Sequence, residues 1–390
     1  MSFNSTVFSQ VLQRVNRYNF TCQVSKHNGD KGTSKFNCFS ILVIMIFMQL
    51  KSKASLREIC TGMNIFQNNF YHLGMKQIDK LSRSSLSDAM AARPSIVFED
   101  FFNQLIDKVY QYNNLKHSGI TKKRKKRMKL IDSTTISLCK NMYDWAKFRR
   151  KKSGIKLHTV FDPDLLAPVQ VFISDAKKHD IIITDFLEIQ KGEMYVFDRG
   201  YNDYKYWYKI ELGHAYFVTR LKSNAKYHVL KKKEVSGKNG ILGDRIIKIK
   251  GTKSNDYGDK LRLVKYYDEE TRKTFNFVTN DFKSSAKKIA DTYKTRWMIE
   301  LFFKWIKQHL KIKKFISTSE NGVKTQVWCA MILYLLLLLI KLECSDDVSL
   351  LDVYLRIQDA LYERIEVFRL ITNRFEIPEK KVVEKEMFLW

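Results

Sequence analysis

Three carboxylates stand out by their surroundings. Asp132 lies in the middle of LIDSTTI, Asp198 ends the run YVF and opens DRGY, and Glu300 lies inside Tyr293–Lys307, YKTRWMIELFFKWIK. A carboxylate flanked by apolar residues is costly to bury unless a metal ion or hydrogen-bond donors meet it. An aspartate at the carboxyl end of a buried-type strand is where α/β sheets place their sites. Oxygen donors of this kind suit a hard cation, Mg²⁺ with Mn²⁺ as a substitute, rather than zinc.

Around Glu300 the polar residues keep helical spacing. Tyr293, Arg296, Glu300 and Lys307 follow one another at steps of three, four and seven, which confines them to a stripe about 60° wide on a helix. Trp297, Met298, Ile299, Leu301, Phe302, Phe303, Trp305 and Ile306 fill the other directions. A helix apolar nearly all round is expected to be buried, with its polar stripe facing a cleft or partner. The bland alternative is a surface i,i+4 pair of Arg296 and Glu300, worth a few tenths of a kcal/mol.

The elements that would position these groups follow from periodicity. From Val7 to about Asn114 apolar residues recur at helical spacing, as in FSILVIMIFMQL and FEDFFNQLIDKVYQY, giving a helical region over residues 1–120. Within it SLREICTGM and SRSSLSDAM each open on a serine cap, which fits either a helix-turn-helix with Arg83, Ser84 and Ser85 near phosphates or a plain bundle. Residues 121–129, TKKRKKRMK, form a basic linker that can also hold phosphates. Strands are expected at Lys129–Leu138, Gly154–Asp162 and Ala167–Asp175, then a helix from His179 to about Gln190, a strand ending at Asp198, a helix from Asn202 to Leu212 and a strand at Ala215–Lys222. That order predicts an α/β mixed sheet with helices on its faces. A Lys- and Gly-rich stretch at about 223–272 reads as a β insertion, with strands near Arg245–Ile249 and Leu261–Tyr266. One long helix from Ser284 to about Leu310 carries the Glu300 stripe, and residues 316–390 form a C-terminal helical region with helices at Asn321–Leu342 and Leu350–Leu370.

Composition narrows the partners. Against 41 Asp and Glu stand 69 Lys and Arg, a net charge of +28, which argues for a polyanion, nucleic acid first. The apolar runs Ile41–Met48 and Val327–Ile340 are shorter than the roughly 20 residues needed to cross a bilayer and read as core helices, so no membrane association is expected. No signal peptide opens the sequence, and the cysteines at 22, 38, 60, 139, 329 and 344 show no C-x-x-C pairing. A reducing cytoplasm fits, without zinc or a disulfide framework.

The spacing Y-x2-R-x3-E-x6-K, with DSTT and DRGY upstream, resembles the DDE transposases of bacterial insertion sequences, in the branch called the IS-four family. WAKFRRKKSGIKLHT, FVTRLKSN, RWMIELFFKWIKQHLKIKKF and TSENGVKTQVW extend the likeness over nearly the full length, with the N-terminal region and the insertion matched more loosely. The resemblance implies a ribonuclease-H-like catalytic core over residues 130–315, interrupted by the insertion, with a divalent-metal site at Asp132, Asp198 and Glu300. It also implies double-stranded DNA, transposon ends and target, as substrate, a homodimer in the synaptic complex, and a bacterial, nucleoid-associated location. Cleavage would free a 3′-hydroxyl, a hairpin would follow, and the resolved end would be joined to target DNA by in-line attack on a phosphodiester. Arg296 and Lys307 would clamp terminal phosphates, with Tyr293 near a displaced base. The basic loop Arg149, Arg150, Lys151 and Lys152, with Lys156, would add phosphate contacts beside Asp132, or be no more than a solvated loop. His158 and His179 are open to structural or substrate roles, and Tyr143 and Trp145 to packing or base stacking. A DNA-binding regulator without catalysis, or a metal-dependent nuclease without joining, would share parts of this pattern.

Overall fold

The structure, a computed structural model, describes residues 5–33, 35–117, 127–138, 143–149, 152–180, 183–235, 238–251, 256–344 and 348–372. In chain order the first elements are helices α1 (Val7–Gln13), α2 (Arg17–Lys26), α3 (Cys38–Leu50), α4 (Leu56–Asn64), α5 (Arg83–Ala92) and α6 (Ile96–His117). Strands β1 (Met128–Leu138), β2 (Lys147–Arg149), β3 (Lys152–Asp162) and β4 (Ala167–Asp175) follow. Next come α7 (Ile183–Phe186), β5 (Met194–Phe197), α8 (Tyr204–Leu212) and β6 (Tyr216–Arg220). Strands β7 (Lys226–Lys233), β8 (Ile241–Lys250), β9 (Leu261–Asp268) and β10 (Lys273–Thr279) precede α9 (Ala286–Lys294) and α10 (Trp297–His309). Helices α11 (Glu320–Cys344), α12 (Leu350–Asp359) and α13 (Val367–Thr372) complete the order.

Two compact units result, Arg17–Leu335 and Met1–Asn16 with Leu336–Trp390. The expected divisions near residues 120 and 316 do not coincide with them. Within the larger unit the helices before β1 are bound to later elements. The Asn321 amide donates to the carbonyls of Met90, Ala91 and Arg93, and Phe102 lies 5.3 Å from Trp328. Such contacts are long-range in sequence, so periodicity carries no sign of them. In the smaller unit the amides of Val7 and Phe8 donate to Glu363 and Leu361, and Arg14 pairs with Glu343 at 2.6 Å.

Local chemistry accounts for the helix starts. Ser55 accepts from the Glu58 amide while the Glu58 carboxylate accepts from Ala54, a reciprocal cap that opens α4. Ser82 does the same for α5 by accepting from Ser85. The connection between α4 and α5 runs over residues 65–82, far longer than the three or four residues of a helix-turn-helix, so the bundle alternative describes this region. Every residue of α3 is buried. Helix α11 is long and apolar enough to cross a membrane by composition alone, but 78% of its most apolar window is buried inside the protein, as expected of a core helix.

Among the described residues ten strands form one sheet in the order β2-β3-β1-β5-β6-β10-β9-β8-β7, with β4 also pairing β3. β1 runs parallel to β5, and β5 to β6, whereas β3 is antiparallel to β1. Ile131, Val160, Tyr195, Phe197 and Phe217 cover one face and pack on Trp207 and Ile210 of α8. The strands of the insertion are not a separate body, because β10 pairs with β6 and extends the same sheet. β7 escaped the sequence reading. Its KYHVLKKK is exposed at most positions, and lysines on an edge strand discourage pairing with other chains while diluting the strand pattern.

Four further expectations are corrected. The helix after Asp175 shrinks to the single turn α7. The expected helix at Leu350–Leu370 is two, α12 and α13. The expected long helix after Ser284 is broken at Thr295–Arg296 into α9 and α10. There the Thr295 hydroxyl bonds back to the Thr292 carbonyl at 2.7 Å, and Arg296 and Met298 take tighter i→i−3 bonds; back-bonding of this kind bends helices. Nor is α10 buried all round, since Trp297 is 59% and Leu301 45% exposed.

Candidate active site

Strand register sets two of the three carboxylates side by side. Ile131 of β1 pairs with Phe197 of β5, and Phe197 with Thr219 of β6. The next residues, Asp132, Asp198 and Arg220, therefore succeed one another across three parallel strands, whose spacing is about 4.8 Å. β5 stops at Phe197, and a 3₁₀ turn over Arg199–Tyr201 follows Asp198, which leaves that carboxylate at the sheet's carboxyl end. Arg220 went unnoticed in the sequence, although a cation ending FVTR beside the strand that ends at Asp198 was the signal.

Helix α10 brings the third carboxylate. Arg296 Nη1 donates to Asp132 Oδ2 at 2.9 Å, and Nη2 donates to Glu300 Oε1. The guanidinium thus bridges β1 to α10 and is more than half of a surface pair. Its Nε is buried and has no partner among the described residues. Across the site Arg220 Nη2 and Nε donate to Asp198 Oδ1 at 2.6 and 3.1 Å, and the Tyr293 hydroxyl donates to the same oxygen at 3.1 Å. The Tyr293 ring lies 5.7 Å from the Arg220 and 5.8 Å from the Arg296 guanidinium carbon, so both cations are within cation–π range of one ring.

The carboxylates differ in electrostatics. Burial raises the Asp132 pKa to about 6, with the negative charges of Glu300 and Asp198 adding to the rise against the Ser133 amide and Arg296. Burial also acts on Asp198, but the hydrogen bonds from Arg220 and the Arg199 amide outweigh it and hold its pKa below the ordinary value. Tyr293 is raised by burial and by Asp198 and stays a neutral donor.

The predicted cations are placed differently from one another. Lys307 is not free: it donates to the Thr134 hydroxyl and to the Thr135 carbonyl at 3.1 Å, and burial lowers its pKa. Lys156 pairs with Asp180 at 2.9 Å and with the Lys178 carbonyl at 2.8 Å. Asp180, missed in the sequence, also accepts from Ser133 Oγ at 2.5 Å, next to Asp132. Lys129, read as both the end of the linker and the start of a strand, belongs to the strand: it is a buried residue of β1 paired with Asp162 at 2.8 Å. Arg150, Lys151 and residues 121–126 lie outside the described residues, as do the side chains of Arg149 and Lys152. His158 is fully buried against Ser174 at 2.9 Å. The Trp145 indole donates to the Thr318 carbonyl at 2.9 Å and is half-buried, and Tyr143 is buried with its ring 6.3 Å from Trp145.

Three oxygen donors from β1, β5 and α10 match a hard divalent cation in type. Among the described residues, however, no three acidic, histidine or cysteine side chains are grouped closely enough to hold an ion as they stand. Arg296 lies between Asp132 and Glu300, and Arg220 holds Asp198.

Residues 123–336 match the family described as Transposase DDE domain, and residues 3–76 match DUF4372, a domain of unknown function. A putative transposase y4zB of Sinorhizobium fredii is 36% identical over 65% of this chain and 69% of its own length. A probable transposase for insertion sequence element IS5377 of Geobacillus stearothermophilus is 32% identical over 54% of this chain and 56% of its own. A putative transposase for insertion sequence element IS4SA of Synechocystis is 27% identical over 60% and 66%. The solved piggyBac transposase synaptic complex with hairpin DNA overlaps 97% of this chain at 10% identity and a TM-score of 0.43, too distant to bear on the fold. The family match covers more than half of the chain and contains all three carboxylates, and the chain therefore belongs to the DDE transposases, enzymes of DNA cleavage and strand transfer.

Proposed function

We propose that Asp132, Asp198 and Glu300 are the catalytic carboxylates of an insertion-sequence transposase of the IS-four type, which binds the element's ends, cleaves them and joins them to target DNA. The observation that carries this reading is the convergence of three carboxylates on two guanidiniums and one phenol where the parallel strands β1, β5 and β6 lie side by side. The strand order β3-β1-β5-β6, with its antiparallel and parallel neighbours, supports reading the core as ribonuclease-H-like.

The three carboxylates would hold Mg²⁺, or Mn²⁺ in its place. When bound, the cation would supply charge neutralisation at the scissile phosphate and an acidified water or 3′-hydroxyl. Arg296 would orient a terminal phosphate by charge-assisted hydrogen bonds. Tyr293 keeps Asp198 in place and remains protonated through the reaction. Lys307 steadies β1 at Thr134, two residues from Asp132, and reaches DNA only by leaving that contact. The basic loop 149–152 and Lys156 are assigned to phosphates along the duplex. A hairpin route uses the same site for successive attacks. Two ends held together require two copies, so the working form is a homodimer on DNA in the bacterial cytoplasm, at the nucleoid.

The test is a supercoiled plasmid carrying the element, incubated with protein and Mg²⁺. Joined products support transposition with the site as assigned. Cut but unjoined products would indicate a nuclease, and bound but unchanged DNA a regulator. Hairpin ends on a denaturing gel decide the route.

A further inference from the structure

Arg220 is the best-placed cation of the site that the family signature around Glu300 does not contain. Its guanidinium donates twice to Asp198 Oδ1, while both side chains keep about 30% of their surface, 28% and 30%. The backbone beneath it is pinned. The Asn202 amide donates to the Arg220 carbonyl at 2.8 Å, and the Thr219 hydroxyl donates to Asn202 at 3.0 Å. The side chain can therefore swing without the strand moving. The residues that follow it, Leu221 and Lys222, line a cavity of about 460 Å³ together with Asn202, Asp203, Lys226 and Lys250. This basic groove at the root of the insertion suits a phosphate backbone.

Arg220 and Tyr293 both donate to Oδ1 of Asp198, and a divalent cation on either oxygen of that carboxylate would sit a few ångström from the guanidinium and repel it. We propose that Arg220 is the exchange residue of this site: it holds Asp198 until a divalent cation takes that carboxylate, and its guanidinium then passes to a DNA phosphate in the adjoining groove. The proposal rests on Asp198 being a metal ligand. No bond is made or broken in the exchange. One ion pair is replaced by another, so cation and DNA strengthen each other's binding by the same factor.

The experiment measures Mn²⁺ binding to the purified full chain by calorimetry and electron paramagnetic resonance, without DNA and with a short duplex of arbitrary sequence. Without DNA, Arg220→Ala should bind Mn²⁺ about tenfold more tightly than the parent, because the competing cation is gone. In the parent, Mn²⁺ should tighten duplex binding, and in Arg220→Ala that gain should largely vanish. Arg220→Lys keeps a point charge without the fork and should fall between the two; it also serves if the alanine variant fails to fold. A merely structural Arg220 predicts the opposite, unchanged or weaker Mn²⁺ binding in both variants, and that result overturns the exchange. Asp198→Asn separates the underlying reading: if it binds Mn²⁺ as the parent does, or the parent binds none, Asp198 is not a metal ligand and both proposals fall.

Discussion

Arg296 Nη1 donates to Asp132 Oδ2 at 2.9 Å, tying the start of α10 to the middle of β1 across more than half the folded core's sequence. The same guanidinium holds Glu300 one turn later. One arginine thus fixes the distance between a strand carboxylate and a helix carboxylate, and its removal should loosen both.

The role assigned to Glu300 separates charge from shape. Glu300→Gln keeps volume and helix propensity but removes the charge that a hard cation requires, so Mg²⁺-dependent nicking of end DNA should fall by at least ~100-fold. Gel-shift affinity should persist or rise slightly, since an anion beside phosphate is lost. The melting temperature should change little, because the pair with Arg296 is partly exposed. Near-normal nicking would remove Glu300 from the site.

DNA affinity should fall steeply with salt. A chain of net charge +28 that makes several phosphate contacts should lose at least ~100-fold in affinity between about 50 and 200 mM salt. A flat dependence in fluorescence anisotropy would show that the basic segments do not hold phosphates.

Lys129 tests a structural role against a DNA-binding one. Its ammonium is buried against Asp162 and the Tyr110 hydroxyl, with side-chain exposures of 9% and 5% across the ion pair. Lys129→Met should cost on the order of 3 kcal/mol in urea unfolding by leaving Asp162 charged and unpaired. Adding Asp162→Asn should recover part of that loss. Were Lys129 a phosphate contact instead, stability would hold and DNA affinity would drop.

His158 sets an acid limb of stability. Burial lowers its pKa from 6.5 to about 4, and nearby Lys156 adds to the shift. Between those values the unfolded chain binds the proton and the folded chain does not, so stability declines as pH falls from 6.5 to about 4, by at most about 3 kcal/mol. Asp132, with its raised pKa, acts with the opposite sign in much of this window. The difference between parent and His158→Gln therefore isolates the histidine: the parent's urea midpoint relative to the variant's should be lower at pH 5 than at pH 6.5. Parallel curves would show that His158 does not titrate there.

Much of this protein was legible as local pattern. β1 around Asp132, the strand ending at Asp198, the capped starts of α4 and α5 and the helical spacing about Glu300 all depend on residues a few positions apart, which is the range over which periodicity and capping act. The kink at Thr295 was hidden because a threonine's back-bond competes with helix geometry only weakly and leaves no mark in the apolar period. The strand β7 was hidden by edge lysines. What only the tertiary structure decided is which charges meet. Lys129 left the basic run for Asp162, Lys156 turned to Asp180, and Arg220 came to Asp198 because parallel register sets Thr219 beside Phe197. Partner choice among charges depends on strand register and burial, which are settled by contacts far apart in sequence, whereas residue type and spacing fix only which charges are available.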